Sequence, residues 1–210
     1  MPNFAFDKRF FWFMDLIKLI EIFALVTGVP YIVLEVLQKN SMWYFGIATG
    51  LACAYSFAVQ HLWSNMALNI YYAGMSVWGL YQWRKDSRAM KAEAGDAAAS
   101  IHLNRLGTKA ALWSLAAFVA GTAVLIWALR LAGDSNVFLD AVTSSMSVVA
   151  TFWLGRSIPY HWLVWIVANT ALVVMCLDGG QHWLAVLYLA YVAAAVYGLF
   201  HWIRNGKYVN

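Results

Sequence analysis

Charge is what this sequence has least of. Only 11% of its 210 residues are charged while 63% are hydrophobic, whereas a water-soluble domain carries about 25% charged and 45–50% apolar residues. A soluble fold of this composition would show apolar surface it could not cover, so lipid is its natural solvent. Length excludes more. A membrane span takes about 20 residues, so the chain holds seven spans with short loops and leaves no room for a soluble domain. Cysteine is nearly absent: Cys53 and Cys176 sit in apolar runs far from each other. That excludes a CxxC centre and makes each a small buried hydrophobe. The five histidines form neither HExxH nor His-x3-His, so neither a metal nor a cofactor is expected. No nucleotide-binding segment is legible, and nothing in the chain would couple it to ATP. A cleavable leader is not expected either. The first apolar run, 16–37, carries Lys18 and Glu21 near its start and lacks a small-residue cleavage site.

What is present is aromatic: 12 Trp, 11 Tyr and 12 Phe. Amphipathic rings favour the headgroup level, yet there are more than two belts need, so some should line a site. Apolar runs broken by polar, Gly or Pro punctuation give spans at 16–37, 42–60, 64–83, 109–131, 137–155, 161–177 and 182–203. Residues 1–13 read as an interfacial segment, and the polar stretch 84–107 as a loosely helical connector. The net charge of +4 points to orientation in the membrane rather than to nucleic acid. With the N-terminus outside, Lys39, Arg84, Lys85, Arg88, Lys91, Arg105, Lys109, Arg156, Arg204 and Lys207 face the cytoplasm, ten of the 14 basic residues. The positive-inside rule therefore favours N-out and C-in.

An internal repeat appears at an offset of 119 residues. Val77-Trp78-Gly79-Leu80-Tyr81-Gln82-Trp83 falls on Val196-Tyr197-Gly198-Leu199-Phe200-His201-Trp202, Trp43 on Trp162, Tyr72 on Tyr191, and Glu21 on Asp140. The expected fold is thus all-α and integral to the membrane. Two three-helix repeats, 14–84 and 132–210, are joined by a loop and linker helix at 85–131. The odd linker helix restores orientation, so the repeats run parallel, the 3+1+3 plan of the SWEET sugar transporters. Folds of this kind hold substrate between their halves near mid-membrane.

Polar side chains inside spans are costly and so are candidate site residues. In span three, Asn65, Asn69, Tyr72 and Ser76 recur at i, i+4, i+7 and i+11 and share one helical face. Carboxamides both donate and accept, which suits a ligand's hydroxyls or amide, although such residues also tie helices together. In span six, Trp165 and Asn169 lie one turn apart below Trp162, which reads as an interfacial anchor. An indole beside a carboxamide fits a flat, polar or cationic ring. Glu21 and Asp140 either attract a cation at the outer mouth or brace their helices. Apart from Lys18, no basic residue lies deep in a span, so a phosphorylated cargo is not expected. A membrane-embedded enzyme would need a nucleophile with its base or paired carboxylates, and neither is legible. A sensor without flux stays open.

Asp140, the run Ser147-Val148-Val149-Ala150, Arg156, and Trp162-Leu163-Val164-Trp165-Ile166-Val167-Ala168-Asn169 together resemble the signature of the PnuC transporters. So does the stretch from Asn69 through Gly79 to Trp83, and the likeness covers essentially all seven spans. Asn69 stands where some members carry Gln, and Thr49 where some carry Asn. The resemblance implies a bacterial inner-membrane homotrimer that takes up nicotinamide riboside by facilitated diffusion with alternating access. A cytoplasmic kinase would trap the product. Relatives of the same plan carry thiamine, riboflavin or deoxynucleosides, so the alternative cargo is thiamine, another flat cation, or another unphosphorylated vitamin or nucleoside. The substrate set expected is Trp165, Asn169, Asn69 and Tyr72, with Asn65, Ser76, Thr49, Ser147 and Tyr188 around them. On topology, a Ser100→Cys variant in intact cells should resist an impermeant thiol reagent and react once the membrane is opened. Labelling from outside would reverse the orientation.

Overall fold

In lipid no water is available to the backbone, so each span must satisfy its own N–H and C=O groups, and a helix does so. The computed structural model describes residues 19–20, 22–24, 26–61, 63–94, 101–132, 137–180 and 182–209. These fall into two units, Met1–Leu80 and Tyr81–Asn210. The first contains α1 (Ile22–Val36), α2 (Met42–Val59) and the opening turns of α3 (Trp63–Ala94). The second contains the polar end of α3, β1 (Ile101–Leu103), α4 (Thr108–Ala132), α5 (Val137–Gly155), α6 (His161–Asp178), α7 (His182–Asn205) and β2 (Gly206–Tyr208). Within it α4 packs on α5, α5 on α6, and α6 on α7.

Five helices among the described residues are long and apolar enough to cross a membrane: α2, α4, α5, α6 and α7. The expected span at 64–83 lies in α3, whose Asn65, Asn69 and Gln82 lower its mean hydropathy. The expected span at 16–37 is described as the shorter α1. The connector differs from expectation in two ways. Helix α3 continues to Ala94 without a break, and Ile101–Leu103 leaves helical geometry to pair in parallel with Gly206–Tyr208.

The offset of 119 recurs in the geometry. Helix α2 runs 42–59 and α6 runs 161–178, 119 residues on at both ends. Helix α1 ends at Val36 and α5 at Gly155, one offset apart. Both of these helices end in a left-handed residue, Gln38 at φ 49° and Ser157 at φ 54°. Around Gln38, its N–H donates to Glu35 O at 3.0 Å and Lys39 N–H to Leu34 O at 2.8 Å. Around Ser157, its N–H donates to Leu154 O and Ile158 N–H to Trp153 O, both at 2.9 Å. These are paired Schellman caps, which satisfy carbonyls that a helix end leaves open. The turns after α2 and α6 match as well, with His61 at φ 59° and Gly180 at φ 71°. Helices α3 and α7 start 119 residues apart, at Trp63 and His182.

Within each unit a tryptophan lies across a glycine. A Cβ added to Gly79 would collide with Trp43 Cη2, and one added to Gly198 would stand 2.6 Å from Trp162 Cζ2. Trp43 is 0% and Trp162 3% exposed. Lipid tails are as apolar as the rings, so burial from water drives little here; dispersion at close approach does the work. Trp162 is therefore a packing residue, in place of the interfacial anchor expected. Gly198→Ala or Gly79→Ala should destabilise by about 1–3 kcal/mol through overpacking, read as a fall in melting temperature in detergent. Gly74→Ala, whose Cβ meets nothing within 4 Å, should leave it unchanged or raise it slightly.

Candidate functional site

The polar residues singled out in the first unit lie on α2 and α3. Asn65 is exposed, and Asn69 and Tyr72 are half-buried. Asn69 Nδ2 donates to Asn65 O at 2.9 Å, leaving its carboxamide oxygen to accept. The rings of Tyr71 and Tyr72 stand 5.8 Å apart. Ser76 is buried and donates to Tyr72 O at 2.8 Å, a bond that spends its proton on its own helix. Its oxygen also closes the approach of α2, since a Cβ on Gly46 would come within 2.5 Å of it. Thr27 donates its hydroxyl proton to Phe23 O and accepts from Thr49 Oγ1 at 2.8 Å, so this pair ties α1 to α2. Glu21 lies outside the described residues.

In the second unit the candidates lie on α5, α6 and α7. A stripe of buried hydroxyls runs down α5. Thr143 donates to Leu139 O, Ser147 to Thr143 O and Thr151 to Ser147 O, each at 2.8 Å. Each hydroxyl keeps a lone pair free to accept. Sequence reading picked out Ser147 and passed over Thr143 and Thr151, although the i, i+4, i+8 spacing was there to see. Asp140 sits in the first turn of α5, where a carboxylate is favoured by the helix dipole. Tyr188 packs against Val173, Cys176 and Ala185 and meets Tyr191 edge-on at 6.0 Å.

Span six holds the clearest signal. Asn169 is 7% exposed, and among the described residues its carboxamide makes no hydrogen bond. Trp165, one turn earlier, is half-buried. The matching positions of the first repeat are Gly46 and Gly50. There, added Cβ atoms would press on Ser76 Oγ at 2.5 Å and on Asn69 O at 3.1 Å. The repeats share their frame and part company at the candidate positions.

A family model described as "Nicotinamide mononucleotide transporter" matches residues 18–204. The chain belongs to this family. It is a membrane transporter rather than an enzyme. Curated members of similar sequence are the nicotinamide riboside transporters PnuC of Neisseria mucosa, Haemophilus influenzae and Escherichia coli. The Neisseria protein is 29% identical, over 88% of this chain and 72% of its own length. The Haemophilus protein is 23% identical over 88% and 79%, and the Escherichia protein 22% over 90% and 86%. Among solved structures, the crystal structure of the vitamin B3 transporter PnuC superposes with a TM-score of 0.65. It covers 97% of this chain and 93% of that one at 23% identity, a likeness of fold. The family match takes in both units and every candidate residue described above.

Proposed function

We propose that this transporter takes up nicotinamide riboside by facilitated diffusion with alternating access. The observation that carries the reading is the name its curated relatives share over most of this chain. The family description speaks instead of the mononucleotide, which carries a phosphate. Among the described residues, Lys and Arg lie in connections, at helix ends or in the polar end of α3. A dianionic phosphate in lipid would need such a partner, so the residue chemistry favours the riboside.

The binding set proposed is Trp165 and Asn169 on α6 with Asn69 and Tyr72 on α3. Asn65, Ser76, Thr49, Ser147 and Tyr188 contribute around them, and Glu21 and Asp140 draw the cation in. Asn169 supports this most directly, because its largely buried carboxamide can both donate to and accept from a ligand's carboxamide or ribose. Trp165 offers an indole face to the pyridinium ring. The architecture proposed is two parallel three-helix repeats, 14–84 and 132–210, joined through 85–131; the matching helix bounds and caps support it. The orientation is N-out and C-in in a bacterial inner membrane, the assembly a homotrimer, and accumulation comes from a cytoplasmic kinase that phosphorylates the product.

Calorimetric titration tests the site. Trp165→Ala should weaken nicotinamide riboside binding about tenfold or more, since about 1.4 kcal/mol is a factor of ten. Asn169→Ala should weaken it comparably. Thr170→Ala, at an exposed neighbour whose hydroxyl is bound to Ile166 O, should stay within about twofold. If Thr170→Ala is the damaging change, the site is misplaced. Thiamine binding more tightly than the riboside would transfer the assignment to the alternative cargo.

Mechanism is tested separately in liposomes. Uptake should stop at equal concentrations on both sides whether or not a proton or sodium gradient is imposed. Gradient-driven accumulation without a kinase would refute facilitated diffusion.

A further inference from the structure

The connector between α3 and α4 is sewn to the rest of the second unit at its polar end. β1 pairs in parallel with β2, placing Ile101 beside Gly206, His102 beside Lys207 and Leu103 beside Tyr208. Val209 N–H extends the pairing by donating to Leu103 O at 2.8 Å, and the Arg105 guanidinium lies 5.4 Å from the centre of the Tyr208 ring. Although these are connector residues, Ile101 and Leu103 are 1% exposed and His102 is 3%. Gly206 lets the strands close, since a Cβ there would come within 2.7 Å of Leu103 Cδ1 on the facing strand.

Asn104 then fastens the connector to two more segments. Its N–H donates to Ser157 O at 3.1 Å. Its Nδ2 donates to Asp86 Oδ2 at 2.7 Å and to Arg156 O at 2.9 Å. Gln82 Nε2 donates to Asp86 Oδ1 at 3.0 Å, so both oxygens of this buried carboxylate are taken. Beneath lie Trp83 and Trp202, both 0% exposed. The Trp83 indole donates to Leu154 O at 3.0 Å. Its ring stands edge-on to Trp202 at 6.0 Å and to His102 at 5.8 Å. Burial pushes the His102 imidazole down to about 4 against the opposing pull of Asp86, so it is neutral at any cytoplasmic pH.

We infer that β1, Asn104 and β2 form a clasp that stays shut throughout the transport cycle. It holds the end of α3, the α5–α6 turn and the end of α7 as one body. Opening it would strip Gln82 and Asn104 from the buried Asp86 carboxylate and bring two tryptophans into water. The rearrangement that releases substrate therefore lies outside these segments. The clasp works as framework, and it is not the gate.

A paired cysteine test separates the two roles. Leu103→Cys with Tyr208→Cys, in a Cys53→Ala, Cys176→Ala background, places the thiols on directly opposed strand positions within disulfide reach. Oxidation should cross-link the pair readily, and cross-linked protein in liposomes should take up nicotinamide riboside within twofold of the reduced form. Uptake that vanishes on oxidation and returns on reduction overturns the inference, as does failure of the folded protein to cross-link. Hydrogen–deuterium exchange on the unmodified protein decides the matter without a substrate assay or a variant. Amides of 101–104 and 206–209 should exchange slowly, at rates within threefold with and without nicotinamide riboside. Fast exchange, or a tenfold change with ligand, would show that the clasp opens. If the unmodified protein takes up no nicotinamide riboside in liposomes while exchange stays slow, the cargo assignment fails and the clasp stands.

Discussion

The spacing of helices in both units depends on an indole laid flat against a glycine. In water such a contact would be driven by removing apolar surface from solvent, but in lipid that term nearly vanishes. What remains is the number of atoms brought to van der Waals distance, and glycine maximises it by letting a ring touch backbone. Trp43 on Gly79 and Trp162 on Gly198 fix how closely α2 meets α3 and α6 meets α7. The left-handed caps at Gln38 and Ser157 set the angle at which each of those tryptophan-bearing helices begins. Neither residue is a glycine, so both turns carry a backbone cost of about 1–2 kcal/mol, offset by the carbonyls the Schellman bonds satisfy.

A frame repeated this faithfully does not by itself recognise anything. The ligand proposed here has a charged ring at one end and hydroxyls at the other, and it has no two-fold symmetry. At an offset of 119 the matching positions differ at the proposed site: glycine at 46 and 50, tryptophan and asparagine at 165 and 169. In the first unit those small residues let two helices close on each other. In the second, the same two positions carry the side chains with the most to offer a ligand.

Much of this was legible before any coordinates. Apolar runs located α2, α4, α5, α6 and α7 to within about two residues, because the cost of bare backbone in lipid leaves the chain little choice. The 119-residue offset came from Trp and Gly matches, and the same residues turn out to be those in contact. Illegible were the features that depend on partners distant in sequence. Ile101–Leu103 and Gly206–Tyr208 are too short to show a period, and a three-residue strand looks like any loop. Trp162 reads as a ring near a membrane face, because position along a span says nothing about which neighbour covers it. The hydroxyls of Ser76, Thr49 and Ser147 were visible as polar groups in apolar runs, whereas the bonds they make to Tyr72, Thr27 and Thr143 required geometry.

The strand pairing also constrains how the chain is made. Ile101 meets Gly206 at a separation of 105 positions along the chain. A contact of that span is slow to find, since the loop must close before it gains anything. During synthesis β1 emerges with its apolar side chains ready and no partner yet in existence. Four helices must be threaded and stacked before residue 206 arrives to cover it. For that interval Ile101 and Leu103 are exposed, as is the ring of Trp83 beneath them. A chain stalled anywhere between α4 and β2 would therefore present a sticky strand and a bare indole, a surface on which quality-control proteases and chaperones can act.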